Sequence, residues 1–203
     1  LIDMLKYSAN LRMPDDVTYQ EKINRINNVL EIVELSDKKD VMIRNLSGGQ
    51  RKRASIAVEL LADPKLFFLD EPTSGLDPGT ERSLMHILKK MAASGKTIIL
   101  VTHNTLNLHL CDKICFFGEG GKLCFAGSPK DTLEFFGVND FVDIYNLLSD
   151  DVDYWYNKYN ASDYFETVVV RKSSDSITKK GKNNRSFMNQ FITLSKRYAK
   201  TII

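Results

Sequence analysis

The chain has 203 residues, of which 43% are hydrophobic and 27% charged, a balance that is ordinary for a globular protein with an appendage. The net charge of +2 gives no reason to expect a nucleic-acid partner. The charge is unevenly distributed: residues 167–203 contain nine Lys and Arg and one Asp, a charge of +8, and the rest of the chain carries −6. No apolar run approaches the ~18 residues of a membrane span, so none of these residues is expected to cross a bilayer.

The first forty residues contain two helical patterns. Residues 1–13 alternate in a helix-like way and stop at Pro14. Thr18, with Glu21 three residues later, has the pattern of a capping box and predicts a helix start. This second helix is expected to end near Asp37. Its apolar face consists of Ile23, Ile26, Leu30 and Val33.

The next segment predicts a parallel strand–helix–strand unit. Ser47 opens a helix that must end before Pro64. Residues 65–69 form a short, continuously apolar run, which is typical of a strand buried on both faces. Asp77, followed by Pro, begins another helix, and residues 97–101 form a second strand of the same kind. This alternation predicts parallel pairing of the two strands.

A different pattern follows the second strand. Residues 114–117 and 123–126 are apolar and flank the glycine-rich turn 118–121, which predicts an antiparallel hairpin. Ser128, followed by Pro, caps one more helix. From about Ser149 the apolar pattern weakens.

These observations divide the chain into three parts. Residues 1–148 form the main domain, residues 149–185 a charged and mostly flexible linker, and residues 186–203 an amphipathic helix. The stripe of that helix consists of Phe187, Phe191, Leu194 and Tyr198. With its basic flanks it suits an anionic membrane surface, and packing against protein is the alternative.

Two acids end the first strand of the parallel unit. Asp70 and Glu71 should lie at the carboxyl edge of the sheet, where ligands of parallel sheets bind. Because neighbouring strand residues face opposite ways, the two carboxylates should differ in role. The first can hold Mg²⁺ and the second can orient a water as general base. A solvated pair that begins a turn is the alternative.

Two further features suit an anion. Ser47, Gly48 and Gly49 place a hydroxyl and two glycines at a helix N-terminus, which is a design for anion binding, although taken alone they are better explained as a plain helix cap. His103 follows the second strand and could donate to a phosphate, with a structural histidine as the alternative. The basic cluster at residues 51–53 is interpreted as a solvated helix face rather than a nucleic-acid site.

Taken together, four motifs resemble those of the ATP-binding cassette (ABC) ATPases. "LSGGQ" at 46–50 is similar to the signature motif, "LFFLDE" at 66–71 to the Walker B strand, and "SGLD" at 74–77 to the D-loop. His103 in "ILVTH" resembles the switch histidine. The resemblance extends over about residues 1–137.

Three longer stretches resemble the G-type, or white-like, subfamily. They are "SANLRMP" at 8–14, "GGQRKRASIAVELL" at 48–61 and "FLDEPTSGLD" at 68–77. One departure is His-Asn-Thr at 103–105, where the subfamily usually has His-Gln-Pro. Since the histidine is kept, this departure bears on the subfamily more than on catalysis.

The resemblance implies roles for individual residues. Glu71 and His103 would be catalytic, and Asp70 would bind Mg²⁺ through water. The residues near the nucleotide would be Ser47, Gly48, Gly49, Gln50 and Asp77. The cofactors implied are ATP and Mg²⁺, and the activity is hydrolysis of ATP to ADP and phosphate.

The resemblance also implies an α/β fold, the C-terminal part of a P-loop NTPase, with a helical subdomain remnant, a parallel βαβ core and a C-terminal hairpin. Its partners would be a second, head-to-tail nucleotide-binding domain and a transmembrane domain, at the cytoplasmic face of the cell membrane. Because the chain contains no G-x-x-x-x-G-K-[ST] sequence, it is expected to begin inside the helical subdomain and to be inactive alone. A non-transport ABC ATPase, or an inactive binding module, is the alternative.

Overall fold

A computed structural model describes residues 1–168 and 192–195, and the chain divides into two compact units. The first unit contains Leu1–Thr102 together with residues 192–195, and the second begins at His103 and includes the described chain to Val168.

The first unit contains four α-helices and one two-stranded sheet within residues 1–102. In chain order these elements are α1 (Ile2–Arg12), α2 (Tyr19–Ile32), α3 (Gly48–Leu60), β1 (Leu66–Asp70), α4 (Pro78–Ala93) and β2 (Thr97–Val101). Between α2 and α3 the chain makes two 3-10 turns, Ser36–Lys38 and Ile43–Asn45.

The predicted capping box at the start of α2 is confirmed. The Thr18 hydroxyl accepts a hydrogen bond from the Glu21 amide at 3.3 Å, and the Glu21 carboxylate accepts one from the Thr18 amide at 2.8 Å. The helix ends at Ile32, before the predicted end near Asp37. The physical reason is Glu34, which adopts a left-handed conformation with φ of 56° just after the helix.

The predicted parallel strand pair is also confirmed. β1 pairs with β2 in register from Leu66 opposite Thr97 to Asp70 opposite Val101, with α4 as the connection. One face of α4 is apolar and buried. The buried residues of that face are Leu84, Ile87, Leu88 and Met91.

The prediction that both strands are buried on both faces is wrong for one face. Phe67 is buried, but the side chains of opposite orientation are exposed: Leu66 by 46%, Phe68 by 72%, Ile99 by 45% and Val101 by 60%. Alternating strand residues point to opposite faces, so these four share one face. Within the described residues only the face that carries Phe67 is covered.

An ion-pair cluster ties three elements of the first unit together. Asp63 follows α3 with a left-handed φ of 49°, and its Oδ1 accepts hydrogen bonds from Arg25 of α2 at 2.7 Å and from Lys96, just before β2, at 2.8 Å. The bonds from Lys96 and then Arg25 hold the pKa of the Asp63 carboxyl below its usual value.

The second unit consists of a hairpin covered by four helices within residues 103–168. In chain order its elements are β3 (Ile114–Gly118), β4 (Lys122–Gly127), α5 (Pro129–Phe136), α6 (Phe141–Asp150), α7 (Val152–Asn160) and α8 (Asp163–Val168). Short 3-10 turns occur at Leu108–Leu110 and Glu119–Gly121.

The hairpin and the cap of α5 were both predicted and are confirmed. β3 and β4 pair antiparallel from Ile114 opposite Gly127 to Gly118 opposite Lys122. The turn needs glycine because Gly120 and Gly121 both have φ of 72°. The Ser128 hydroxyl accepts a hydrogen bond from the amide three residues later at 3.1 Å, which begins α5.

The structure differs from the expected linker that begins at residue 149. Instead of an open segment, α7 and α8 continue the fold to Val168. Trp155 and Tyr159, four residues apart on α7, are buried in the core of the second unit. These aromatic side chains supply the apolar face that the acidic composition of the segment conceals.

The rest of the predicted linker and most of the predicted amphipathic helix lie outside the described residues. This applies to 169–185 and to Phe187, Phe191 and Tyr198. Residues 192–195 are helical, and Leu194 is 50% exposed. A helix long and apolar enough to cross a membrane does not occur in residues 1–168 or 192–195.

Candidate functional site

The signature stretch forms the N-terminus of α3 and is closed by a capping box. The Ser47 hydroxyl accepts a hydrogen bond from the Gln50 amide at 3.3 Å, and the Gln50 side chain accepts one from the Ser47 amide at 2.9 Å. Gln50 therefore orders the loop that precedes the helix. The amides of Gly48 and Gly49 lie in the first turn, where a helix supplies no acceptor of its own and its dipole is positive.

The two glycines of this turn have different surroundings. Gly48 is exposed, and a Cβ built on it would meet only Leu76 Cδ2, at 3.8 Å. Gly49 is buried, and its Cβ would lie 2.1 Å from Thr80 Cγ2. Sequence reasoning supplied one reason for both glycines, the approach of an anion. The structure adds a second reason for Gly49, the close packing of α3 against the start of α4.

Asp77 caps α4, as its position before Pro78 predicts. Its Oδ1 accepts hydrogen bonds from the amides of Thr80 at 3.0 Å and Gly79 at 3.1 Å. Hydrogen bonds from Thr80, and then from Gly79, lower the pKa of the Asp77 carboxyl. Asp77 therefore holds the start of α4 at the point where Gly49 packs against Thr80.

The two acids at the end of β1 differ in setting, and because Glu71 lies outside the strand the predicted alternation along the strand is not the reason. Asp70 is the last residue of the strand, is exposed and pairs in register with Val101. Glu71 is half-buried and has a left-handed φ of 46°. Its amide donates to the Val101 carbonyl at 2.9 Å, so the contact with β2 extends one residue beyond β1. The two carboxylates are therefore attached to a backbone that hydrogen bonds hold in place, at the carboxyl end of the parallel strands.

Two successive turns connect these acids to α4. The Glu71 carbonyl accepts a hydrogen bond from the Ser74 amide at 3.2 Å, and the Thr73 carbonyl accepts one from the Leu76 amide at 3.1 Å. Gly75 supplies the left-handed φ of 74° that the second turn requires. The segment from Glu71 to Asp77 is therefore a folded connection with its own hydrogen bonds.

The basic cluster on α3 is not the solvated face that the sequence suggests. Arg51 is exposed, but Lys52 and Arg53 are half-buried. The Lys52 ammonium donates to the Glu71 carbonyl at 3.4 Å. Sequence reasoning missed this contact because nothing in the local pattern links two residues that far apart.

The acids fit a Mg²⁺ ion that takes most of its ligands from elsewhere. Among residues 1–168 and 192–195, no group of three or more His, Cys, Asp or Glu side chains converges as metal ligands do. Mg²⁺ prefers six oxygen ligands and commonly uses one or two carboxylates together with waters and phosphates. The exposed carboxylate of Asp70 suits that arrangement.

His103 belongs to the second unit. It lies two residues beyond the end of β2, and its side chain is exposed. The other candidates all belong to the first unit. They are Ser47, Gly48, Gly49, Gln50, Asp70, Glu71 and Asp77.

Comparison with known proteins agrees with these motifs. A family model described as "AAA domain, putative AbiEii toxin, Type IV TA system" matches residues 2–108. The ABC transporter ATP-binding/permease protein Rv1747 of Mycobacterium tuberculosis is 42% identical over 149 residues, which are 73% of this chain and 17% of that protein. Protein white of Drosophila melanogaster is 39% identical over 140 residues, 65% of this chain and 20% of that protein.

Two further relatives extend the comparison. The broad substrate specificity ATP-binding cassette transporter ABCG2 of Bos taurus is 40% identical over 144 residues, 68% of this chain and 22% of that protein. Among solved structures, cbiO1 from Clostridium perfringens, part of the ABC transporter complex cbiONQ, matches with a TM-score of 0.58 and 32% identity, over 63% of this chain and 51% of that chain. The chain spans about a fifth of the length of these curated relatives. It belongs to the ATP-binding cassette ATPases, and its relatives include the G-type transporters white and ABCG2.

Proposed function

We propose that this chain is the ATP-hydrolysing part of an ABC transporter, in which pairing of two such domains around ATP drives transport. One observation carries the proposal. The capped glycine turn of α3 and the two acids at the end of β1 lie within a single unit. The folded segment from Glu71 to Asp77 leads from the acids to the start of α4, against which Gly49 packs. This arrangement is suited to binding the phosphate of one ATP at one end and hydrolysing another ATP at the other.

Hydrolysis would depend on the two acids. Glu71 would accept a hydrogen bond from the attacking water and orient it as general base. Asp70 would hold Mg²⁺ through water, and that ion neutralises charge on the phosphate oxygens when it is bound. By family resemblance, His103 would donate a hydrogen bond to the γ-phosphate.

The signature turn would serve the ATP held by a second, head-to-tail domain. The amides of Gly48 and Gly49 and the hydroxyl proton of Ser47 are donors at the positive end of a helix. Gln50 would act by holding Ser47 in position, because its side-chain oxygen accepts a hydrogen bond from the Ser47 amide. Asp77 would fix the turn that borders the nucleotide.

The membrane connection rests on the charge of the C-terminal residues. Residues 167–203 carry +8, which suits the anionic surface of the cytoplasmic leaflet and a transmembrane domain that follows in the same protein. Flotation with anionic and neutral vesicles decides this part of the proposal, since equal binding to both would remove the electrostatic argument.

The first prediction tests the hydrolytic role of Glu71 in the complete gene product. Glu71→Gln should keep ATP binding but lower the rate of hydrolysis by about 10²–10⁴-fold, because the amide cannot accept the proton of the water. ATP should then hold the paired domains together, which size-exclusion chromatography detects. Glu31→Gln, at an exposed position on α2, is the matched control with the same charge change. Near-normal turnover in Glu71→Gln would move the general-base role elsewhere, with His103 the next candidate.

A further inference from the structure

One face of α3 contacts both ends of the segment from Glu71 to Thr80. Gly49 packs against Thr80 at the far end of the segment, where its Cβ would lie 2.1 Å from the threonine methyl. Lys52 lies three residues after Gly49, so the two residues share a helix face. The Lys52 ammonium reaches the near end of the segment at the Glu71 carbonyl, 3.4 Å away.

The backbone of Glu71 has an unusual conformation that its neighbours must hold. A φ of 46° is uncommon for a residue with a Cβ and persists where surrounding contacts determine it. The Glu71 amide donates to the Val101 carbonyl at 2.9 Å, and its carbonyl accepts from the Ser74 amide at 3.2 Å. The Lys52 ammonium of α3 donates to the same carbonyl.

We infer that Lys52 is a positioning residue that couples the signature turn of α3 to the carboxylate of Glu71 in the same domain. A phosphate bound at the N-terminus of α3 acts on Gly48 and Gly49, one helical turn from Lys52. A small movement of α3 then changes the contact at the Glu71 carbonyl and, through the backbone, the direction of the carboxylate. The ATP at one site thereby regulates hydrolysis at the other. This inference rests on the proposed role of Glu71.

The chemistry of the contact separates this role from charge compensation. Lys52 contacts the backbone carbonyl of Glu71, so its removal keeps the charge of the carboxylate but changes the orientation of the backbone that carries it. Misplacing a catalytic group by about 1 Å can cost up to ~10²-fold in rate without a matching loss of substrate affinity. A positioning role therefore predicts a lower kcat at unchanged KM.

The second prediction tests Lys52 by steady-state kinetics of ATP hydrolysis in the complete gene product. Lys52→Met keeps the apolar stem and removes the ammonium, and should lower kcat about tenfold with KM for ATP unchanged. Lys52→Arg restores a cationic donor and should keep most of the activity. Arg53→Met is the matched control, because Arg53 makes the same kind of contact from the same helix, to the Val33 carbonyl at 3.4 Å. Arg53→Met should lower the melting temperature but leave kcat close to the wild-type value.

A double mutant identifies the route of the effect. In the Glu71→Gln background, Lys52→Met should cause no further loss of single-turnover hydrolysis, because the group that it positions is already gone. A tenfold loss in both backgrounds, or a raised KM, would overturn the inference. If Lys52→Met does not fold, Lys52→Gln repeats the test with a neutral polar side chain.

The two proposals fail in different ways. Wild-type kcat in Lys52→Met, with Glu71→Gln inactive, would overturn the coupling and leave the hydrolytic role of Glu71 standing. Near-normal turnover in Glu71→Gln would instead overturn the proposed function on which the coupling depends.

Discussion

The first unit carries every residue proposed for the ATP site except His103, whereas the second unit carries most of the buried aromatic side chains. In residues 1–102 the buried aromatic side chain is Phe67, and one face of the sheet is exposed. The core of the second unit contains Phe116, Phe125, Phe135, Phe136, Phe141, Trp155 and Tyr159. Recognisable motifs and the aromatic core therefore belong to different parts of this chain.

The packing of the second unit depends on ring contacts rather than on polar motifs. The rings of Phe125 and Phe135 lie 4.8 Å apart, those of Phe135 and Phe136 lie 5.1 Å apart at 90°, and Trp155 lies 4.8 Å from Phe136. Such pairs contribute about 0.5–1.5 kcal/mol each beyond their burial. A region without catalytic motifs therefore contains a core of mutually contacting aromatic rings.

The largest expected effect tests that core. Phe125 is fully buried, and Phe125→Ala should lower the free energy of unfolding by about 3–5 kcal/mol through lost burial and a cavity. Trp155, the single tryptophan of the chain, lies in the same core and reports its unfolding by fluorescence. Phe117→Ala, at a 62% exposed position on β3, is the control and should change stability by less than about 0.5 kcal/mol. Equal effects of the two substitutions would contradict the described core.

The comparison also shows which features local sequence patterns can predict. The caps at Thr18 and Ser128 join residues three apart, and the glycine turn of the hairpin is equally local. The parallel strand pair follows from the order of apolar segments. These features depend on a short window of sequence, so their patterns suffice to predict them.

The features that sequence reasoning missed depend on distant residues. Lys52 and Glu71 are 19 residues apart, and the reason for Gly49 lies in Thr80 on the next helix. The burial of Trp155 and Tyr159 depends on a hairpin that begins at Ile114. The acidic composition of the same stretch suggested a linker instead. A local pattern gives the residue type at such positions but not the contact that requires it.

An intermediate effect tests the packing at the signature turn. Gly49→Ala should lower the free energy of unfolding by about 1–3 kcal/mol, because its Cβ would overlap the Thr80 methyl and a β-branched side chain in a helix rotates little. Thr80→Ser removes that methyl and should recover much of the loss. Gly48→Ala is the matched control, and its open surroundings predict neutral or slightly raised stability. Urea unfolding followed by circular dichroism measures all of these variants. A Gly49→Ala protein as stable as wild type would show that α3 does not need this close approach.

The smallest expected effect concerns the ion-pair cluster at Asp63. Asp63→Asn removes the charge but keeps a residue that tolerates the left-handed conformation, so it isolates the electrostatic contribution. The carboxylate is 63% exposed, and solvent screening limits its contribution to less than about 1 kcal/mol. The effect should shrink in high salt. Asp15→Asn, at an exposed position, provides the control.

The difference in stability between wild type and Asp63→Asn should depend on pH, with a definite sign. Because the bonds from Lys96 and Arg25 lower the pKa of Asp63 in the folded state, the charged form is the one that folding favours. The stability that Asp63 adds is therefore complete above its unfolded pKa of about 3.9 and is lost as the pH falls through the lower folded value. The gap between wild type and Asp63→Asn, measured by urea unfolding, should be constant near neutral pH and close in acid. A gap that widened in acid would mean that folding favours the protonated carboxyl, and the cluster would then not be the link between α2 and β2 that its geometry indicates.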